Sequence, residues 1–140
     1  MSDKARVEVS YAREPALSVE EFRDVLNVSS LGALRPVGDL DRLRRMLAEA
    51  DIIVTARAGD TLVGVARAIT DYSFCCYVSE LAVDESYQRL GIGKCLIEKT
   101  RALAGDGVIL ILIAAPDAEA YYPKIGMDPV KSAWMIPRSR

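Results

Sequence analysis

Gly91 and Gly93 stand two residues apart in the run Gln88, Arg89, Leu90, Gly91, Ile92, Gly93 and Lys94, at the point where a strand pattern gives way to a helical one. The first turn of a helix has backbone N–H groups without intrahelical partners, and glycines let a ligand approach them closely, so this spacing makes an anion site. Arg89 and Lys94 add positive charge beside it, which suits a pyrophosphate. The alternative is a pair of glycines that only shapes a tight turn. Two other phosphate motifs do not fit. A Walker loop requires Gly at position 88 and Ser or Thr at 95, where Gln88 and Cys95 stand, and a dinucleotide fingerprint requires a third small residue where Leu96 stands. Glu80 is the other chemically suggestive side chain, a carboxylate inside an otherwise apolar strand pattern. A buried charge is costly without a partner, so Glu80 is either a base or anchor for a substrate ammonium or one half of a structural salt bridge.

The chain has no histidine. Ser-His-Asp and Cys-His nucleophiles and imidazole zinc sites are therefore excluded, no metal is expected, and the available chemistry belongs to carboxylates, tyrosines, backbone amides or a cofactor. Cys75, Cys76 and Cys95 cannot all pair, and two are adjacent, so they read as buried free thiols of a reducing compartment.

The elements that must position these groups follow from periodicity. Residues 7–11 alternate apolar and polar side chains as a half-buried strand does. Ser18 and Glu21 form a capping box with Leu17 and Phe22 as its staple, which predicts a helix from about Val19 to near Asn27. Asp39 opens a second helix with Leu40, Leu43 and Leu47 on one face and Arg42, Arg44 and Arg45 on a solvated one. Residues 52–57, 61–69 and 72–83 read as an antiparallel meander turned by Ala58, Gly59 and Asp60. A helix over 92–104 and the wholly apolar run 108–113 then complete a β-α-β unit, with the last strand expected to be parallel and covered on both faces. A short helix over 116–124 and a final strand over 131–137 close the chain. The whole is an α/β (α+β) domain with a mixed sheet, and 140 residues suit a single domain, 1–140.

With 51% hydrophobic and 27% charged residues and a net charge of −2, the composition is that of a globular chain and argues against a nucleic-acid surface. No apolar run approaches the ~18–20 residues of a membrane span, and residues 1–4 do not lead into a signal-peptide core, so a cytoplasmic protein is expected.

Residues 81–97, with Gln88, Arg89, Gly91 and Gly93 after a strand, resemble the coenzyme A-binding motif of the GNAT N-acetyltransferases, whose core is Gln/Arg-x-x-Gly-x-Gly/Ala. Residues 118–127, containing Ala118, Tyr121, Tyr122 and Gly126, resemble that family's Ala-x-x-Phe-Tyr-x-x-x-Gly-Phe box, and the element order agrees over most of the chain. The resemblance implies a GNAT-like fold and acetyl-CoA as co-substrate. It implies that backbone groups of the Leu81, Ala82, Val83 stretch pair with the pantetheine arm as an added strand, while amides from Arg89 to Lys94 wrap the pyrophosphate. It places Tyr122 near the cofactor sulfur, as the acid for the departing thiolate or as a residue that packs or only hydrogen-bonds coenzyme A; a phenol of pKa ~10 is protonated at neutral pH. Tyr121 falls on the phenylalanine position and is expected in the core. Ala115 stands where many members have asparagine, Met127 replaces a phenylalanine, and Pro123 follows the tyrosine directly.

The expected reaction is acetyl transfer to a primary amine, of a small molecule first and of a protein as a variant, by direct attack in a ternary complex; a non-catalytic acyl-CoA-binding module is the reading from another class. The acceptor pocket is expected from residues 28–39, 72–76 and 132–140. A homodimer that pairs or exchanges the terminal strand, with Trp134 and Met135 in the contact, is compatible with the sequence.

Overall fold

The computed structural model describes residues 8–139. Five strands form one mixed sheet in the order β1-β2-β3-β4-β5. They are β1 (Val9–Arg13), β2 (Ile52–Ala58), β3 (Thr61–Thr70), β4 (Cys75–Val83) and β5 (Ile109–Leu112). The first four pair antiparallel, and β5 joins β4 in parallel, with α3 (Ile92–Ala104) as the crossover. The meander and the β-α-β unit therefore stand as expected. Val7, the first residue of the expected opening strand, lies outside the described residues, as do residues 1–4 and Arg140.

Side chains that alternate along the strands feed a core on each face of the sheet. From β2, Ile53 joins Phe22, Val25 and Leu26 of α1 (Val19–Val28) and Leu43 and Leu47 of α2 (Leu40–Ala48). Ile52, Val54 and Ala56 point the other way and pack with Ile92 and Leu96 of α3. Both N-terminal helices start at oxygen caps, Ser18 accepting from the Glu21 N–H at 3.2 Å and Asp39 from the Arg42 N–H at 3.1 Å. The Glu21 carboxylate accepts from the Ser18 hydroxyl and from Arg57, and Leu17 and Phe22 are buried in one cluster. On α2, Arg44 pairs with Asp41 on the solvated side.

Four expectations fail. The run 108–113 is strand only over Ile109–Leu112, it is the edge of the sheet, and one of its faces is uncovered: Ile109 is 57% exposed and Ile111 is also exposed. Residues 131–137 form no strand and pair with none of the sheet's open edges; Trp134 is 95% and Ile136 96% exposed. The helix expected over 116–124 is broken into a 3₁₀ turn, Pro116–Ala118, and the short α4 (Tyr121–Lys124). Of the cysteines only Cys76 is buried, although all three are free thiols.

Candidate active site

The partnership of β4 with β5 sets up the site. It runs from Cys75 opposite Ile109 to Val78 opposite Leu112 and stops there. β4 continues to Val83, so the stretch from Ser79 to Val83 has β3 on one side and no strand on the other. An irregularity in the β3–β4 register falls at the same point, with Arg67 opposite Glu80 and Ala68 opposite Val78, which leaves Ser79 as the extra residue. Bulges of this kind bend a strand and commonly end its pairing.

Beyond Val83 the chain makes a 3₁₀ turn, Glu85–Tyr87, and enters α3 through Gly91, whose φ of +81° belongs to the left-handed region that glycine adopts without strain. Arg89 also has a positive φ, +68°. No side chain caps α3. Gly91 thus offers the first-turn amides no cap of its own, at the positive end of a 13-residue helix, and the Lys94 amide acts on the Tyr121 phenol.

This turn borders a cavity of about 430 Å³ whose walls include Leu81, Val83, Gln88, Arg89, Gly91, Ile92 and Gly93, together with Tyr121, Tyr122, Ser29 and Ser30. Eight of the expected site residues, Tyr122 among them, therefore meet around one space. Ala82 does not: it is buried in the α1/α2 core. Leu90 is exposed, and the Lys94 side chain lies outside the walls, 3.9 Å from Glu98. The Gln88 side-chain amide donates to the Val83 carbonyl at 3.2 Å and ties the turn to the strand.

Tyr122 touches two spaces. It also lines a recess of about 40 Å³ with Arg35, Ser79, Leu81 and Ala115, so its ring stands between the large cavity and the gap where β4 and β5 part. Two backbone N–H groups, of Ile125 and Met127, donate to its carbonyl and fix its place in α4. Burial raises its phenol pKa, with a further push from Tyr121, whose ring lies edge-on at 5.2 Å. The phenol is therefore protonated at neutral pH. Tyr121 is not in the core but partly buried, lining the same cavity.

Glu80 is 1% exposed and its carboxylate is fully engaged. It accepts from Arg67 Nε on one oxygen, and from Arg35 Nε at 2.7 Å and the Ser79 hydroxyl at 2.8 Å on the other. Burial pushes the carboxyl pKa up, but the hydrogen bond and charge of Arg67, followed by Arg35 and Ser79, outweigh it and hold the group below the usual carboxylate range. Glu80 lines neither cavity. Of the two readings of this residue, the geometry is that of the structural ion pair. Arg67 reaches on to the Met46 carbonyl of α2, and Arg35 to the Ser79 carbonyl, so one carboxylate ties α2, the loop at 35 and β4 together.

Sequence reasoning missed both arginines. Arg67 carried a usable signal, a lone cation in an apolar strand next to a strand with a lone anion. Arg35 carried none, since it follows a 3₁₀ turn, Gly32–Leu34, in a segment without periodicity.

A family model described as the acetyltransferase (GNAT) domain matches residues 33–133, which hold the whole site apart from Ser29 and Ser30. The chain belongs to the GNAT acetyltransferase family. It is similar to an uncharacterised N-acetyltransferase of Pyropia yezoensis, 29% identical over 109 residues, covering 71% of this chain and 63% of that protein. The chain thus spans less than two thirds of that relative's length. Among solved structures, a protein of unknown function from meticillin-resistant Staphylococcus aureus superposes with a TM-score of 0.79 at 23% identity, covering 94% and 99% of the two chains. An aminoglycoside N-acetyltransferase in complex with coenzyme A superposes with a TM-score of 0.71 at 14% identity, covering 95% and 96%. At these identities the likeness is one of fold, and the GNAT fold is what this chain has.

Proposed function

We propose that this GNAT chain is an acetyl-CoA-dependent N-acetyltransferase that acetylates a primary amine of a small molecule by direct attack in a ternary complex. The observation that carries the reading is that three separate features open on one cavity: the uncapped amides of α3, the strandless edge of β4 and the Tyr122 phenol. An anionic pyrophosphate fits the first and an extended amide-bearing arm fits the second. The thioester then comes to rest near the third.

In this reading the amides from Arg89 to Gly93 hold the pyrophosphate, and the backbone from Leu81 to Val83 pairs with the arm. The amine enters from the recess beside Arg35 and Ser79 and attacks the thioester carbonyl carbon. The C–S bond breaks, Tyr122 gives its proton to the departing thiolate, and the amine's surplus proton leaves to water. Most of the rate comes from holding thioester and amine together. Glu80 acts as a positioning residue, keeping β4 and the Arg35 loop in register, and not as the base.

Thermal melting with acetyl-CoA, ATP and NAD in parallel tests the donor. A ligand at a hundred times its dissociation constant adds about 2.7 kcal/mol. A shift with acetyl-CoA alone is expected, and a shift with only ATP or NAD would sink the reading. Thiol release across a panel of amines tests the reaction, and binding without turnover on any amine or peptide would assign the chain to the acyl-CoA-binding modules instead.

A further inference from the structure

Tyr121 occupies the position that the family box fills with phenylalanine, and its hydroxyl has found a place of its own. A Cβ built on Gly93 would lie 2.7 Å from that hydroxyl oxygen and 3.3 Å from the ring carbon bearing it. No real Cβ approaches an oxygen so closely, so the phenol sits where a side chain at position 93 would be. The Lys94 backbone N–H, on the next residue of the turn, pulls the phenol pKa down. Tyr121 also lines the cavity with Arg89 and Gly91.

From this contact we infer that the Tyr121 hydroxyl is a member of the phosphate cradle, an added donor that reads the pyrophosphate of the acyl donor through a seat made for it by Gly93; the inference rests on the acetyl-CoA reading of the cavity. Tyr121 lines the cavity beside Arg89 and Gly91, so an anion held there is within the range of its hydroxyl proton. The amide polarises the phenol and makes it a better donor, so the helix terminus is extended outward by one side chain. Burial raises the phenol pKa against the lowering pull of the Lys94 amide, and the proton is therefore in place at neutral pH.

The tests are Tyr121→Phe, Gly93→Ala and the double variant, assayed with acetyl-CoA and with S-acetylpantetheine, which has the same arm and thioester but no pyrophosphate. A hydrogen bond to a charged group is the interaction removed, so Tyr121→Phe is expected to raise KM for acetyl-CoA about tenfold with kcat unchanged. It should leave the slope for S-acetylpantetheine where it was, so that discrimination between the two donors falls by the same factor. Gly93→Ala reaches the contact from the other side, displacing the hydroxyl, and should lose at least as much discrimination. In the double variant the phenyl edge no longer meets the methyl group, and KM should fall back from the Gly93→Ala value toward that of Tyr121→Phe. Equal losses for both donors would show a merely structural ring and overturn the inference, as would an unchanged KM for acetyl-CoA in a folded Tyr121→Phe protein. Failure of wild-type protein to bind or use acetyl-CoA would overturn the functional reading itself, and this inference with it.

Discussion

Replacing Glu80 by glutamine separates a positioning carboxylate from a catalytic base. The two oxygens of Glu80 serve Arg67, Arg35 and Ser79, and the residue is 1% exposed. Glutamine preserves the shape but keeps only one accepting oxygen and no charge. Its amide nitrogen must then face a guanidinium N–H donor, which loses a charge-assisted bond of about 1.5–3 kcal/mol. Two guanidinium groups also lose their shared counter-charge, and breaking a buried ion pair from one side costs about 3–5 kcal/mol in all. For a chain of 140 residues, with an unfolding entropy of ~2.1 cal/mol/K per residue, that corresponds to a fall in Tm of roughly 10–17 °C. Calorimetry or urea unfolding measures it, and kcat is assayed well below the new melting point, where a change of less than about tenfold is expected. The pH profile supplies a second readout. A carboxyl whose folded pKa is depressed adds stability that is present above its unfolded value, 4.5, and is lost as pH falls through the folded pKa. Wild-type stability should therefore fall in acid more steeply than that of Glu80→Gln. The opposite result, a Tm within about 2 °C of wild type with kcat down a hundredfold or more, is the signature of a lost general base and would refute the positioning role.

Four further outcomes are expected. Tyr122→Phe should lower kcat about a hundredfold while leaving the acetyl-CoA dissociation constant unchanged by calorimetric titration, because only the departing thiolate needs its proton. Ser18→Ala removes the α1 cap and should cost about 1 kcal/mol in urea unfolding without touching kinetics. Arg57 holds the Glu14 and Glu21 carboxyls below their usual range through its hydrogen bonds, so stability is lost as pH falls below 4.5, and Arg57→Met should flatten that acid limb in urea titrations. The lone tryptophan, Trp134, should be quenched by iodide at nearly the rate of the free amino acid, whereas strong protection would show that residues 131–137 are covered in solution.

The parts of the fold legible in the sequence are those decided by near neighbours. Ser18 and Asp39 mark their helices because a cap acts within three residues, and the meander declares itself because a buried strand face repeats every second residue. β5 was harder. An unbroken apolar run says that water is avoided, not by what, and Ile109 and Ile111 prove to face outward at the edge of the sheet. Trp134 and Ile136 are strand-forming side chains, but a strand also requires pairing with a partner edge, which no local pattern reveals. In the site, the glycine turn could be read because it depends on contiguous residues. The clamp on Glu80 could not, since Arg35 lies 45 residues away in the chain and arrives through tertiary packing. Tyr121 and Tyr122 show a finer limit: adjacent helical positions point about 100° apart, and only the course of α4 decides that both rings meet the cavity.

In the proposed binding mode, the early end of the β4–β5 ladder makes the protein a ruler. Five residues, Ser79 to Val83, lie between the last paired position and the end of the strand, a length of about 16 Å at ~3.3 Å per residue. The anion turn is fixed at one end of this interval, and the recess shared by Arg35 and Tyr122 lies toward the other. A flexible arm laid along the edge is thus measured by backbone geometry and not by any side chain that grips it. In the proposed binding mode arm length then bears on the choice of donor: a thioester carried on a shorter or longer arm would be held just as firmly at its phosphate end, yet would stop short of the phenol or overrun it.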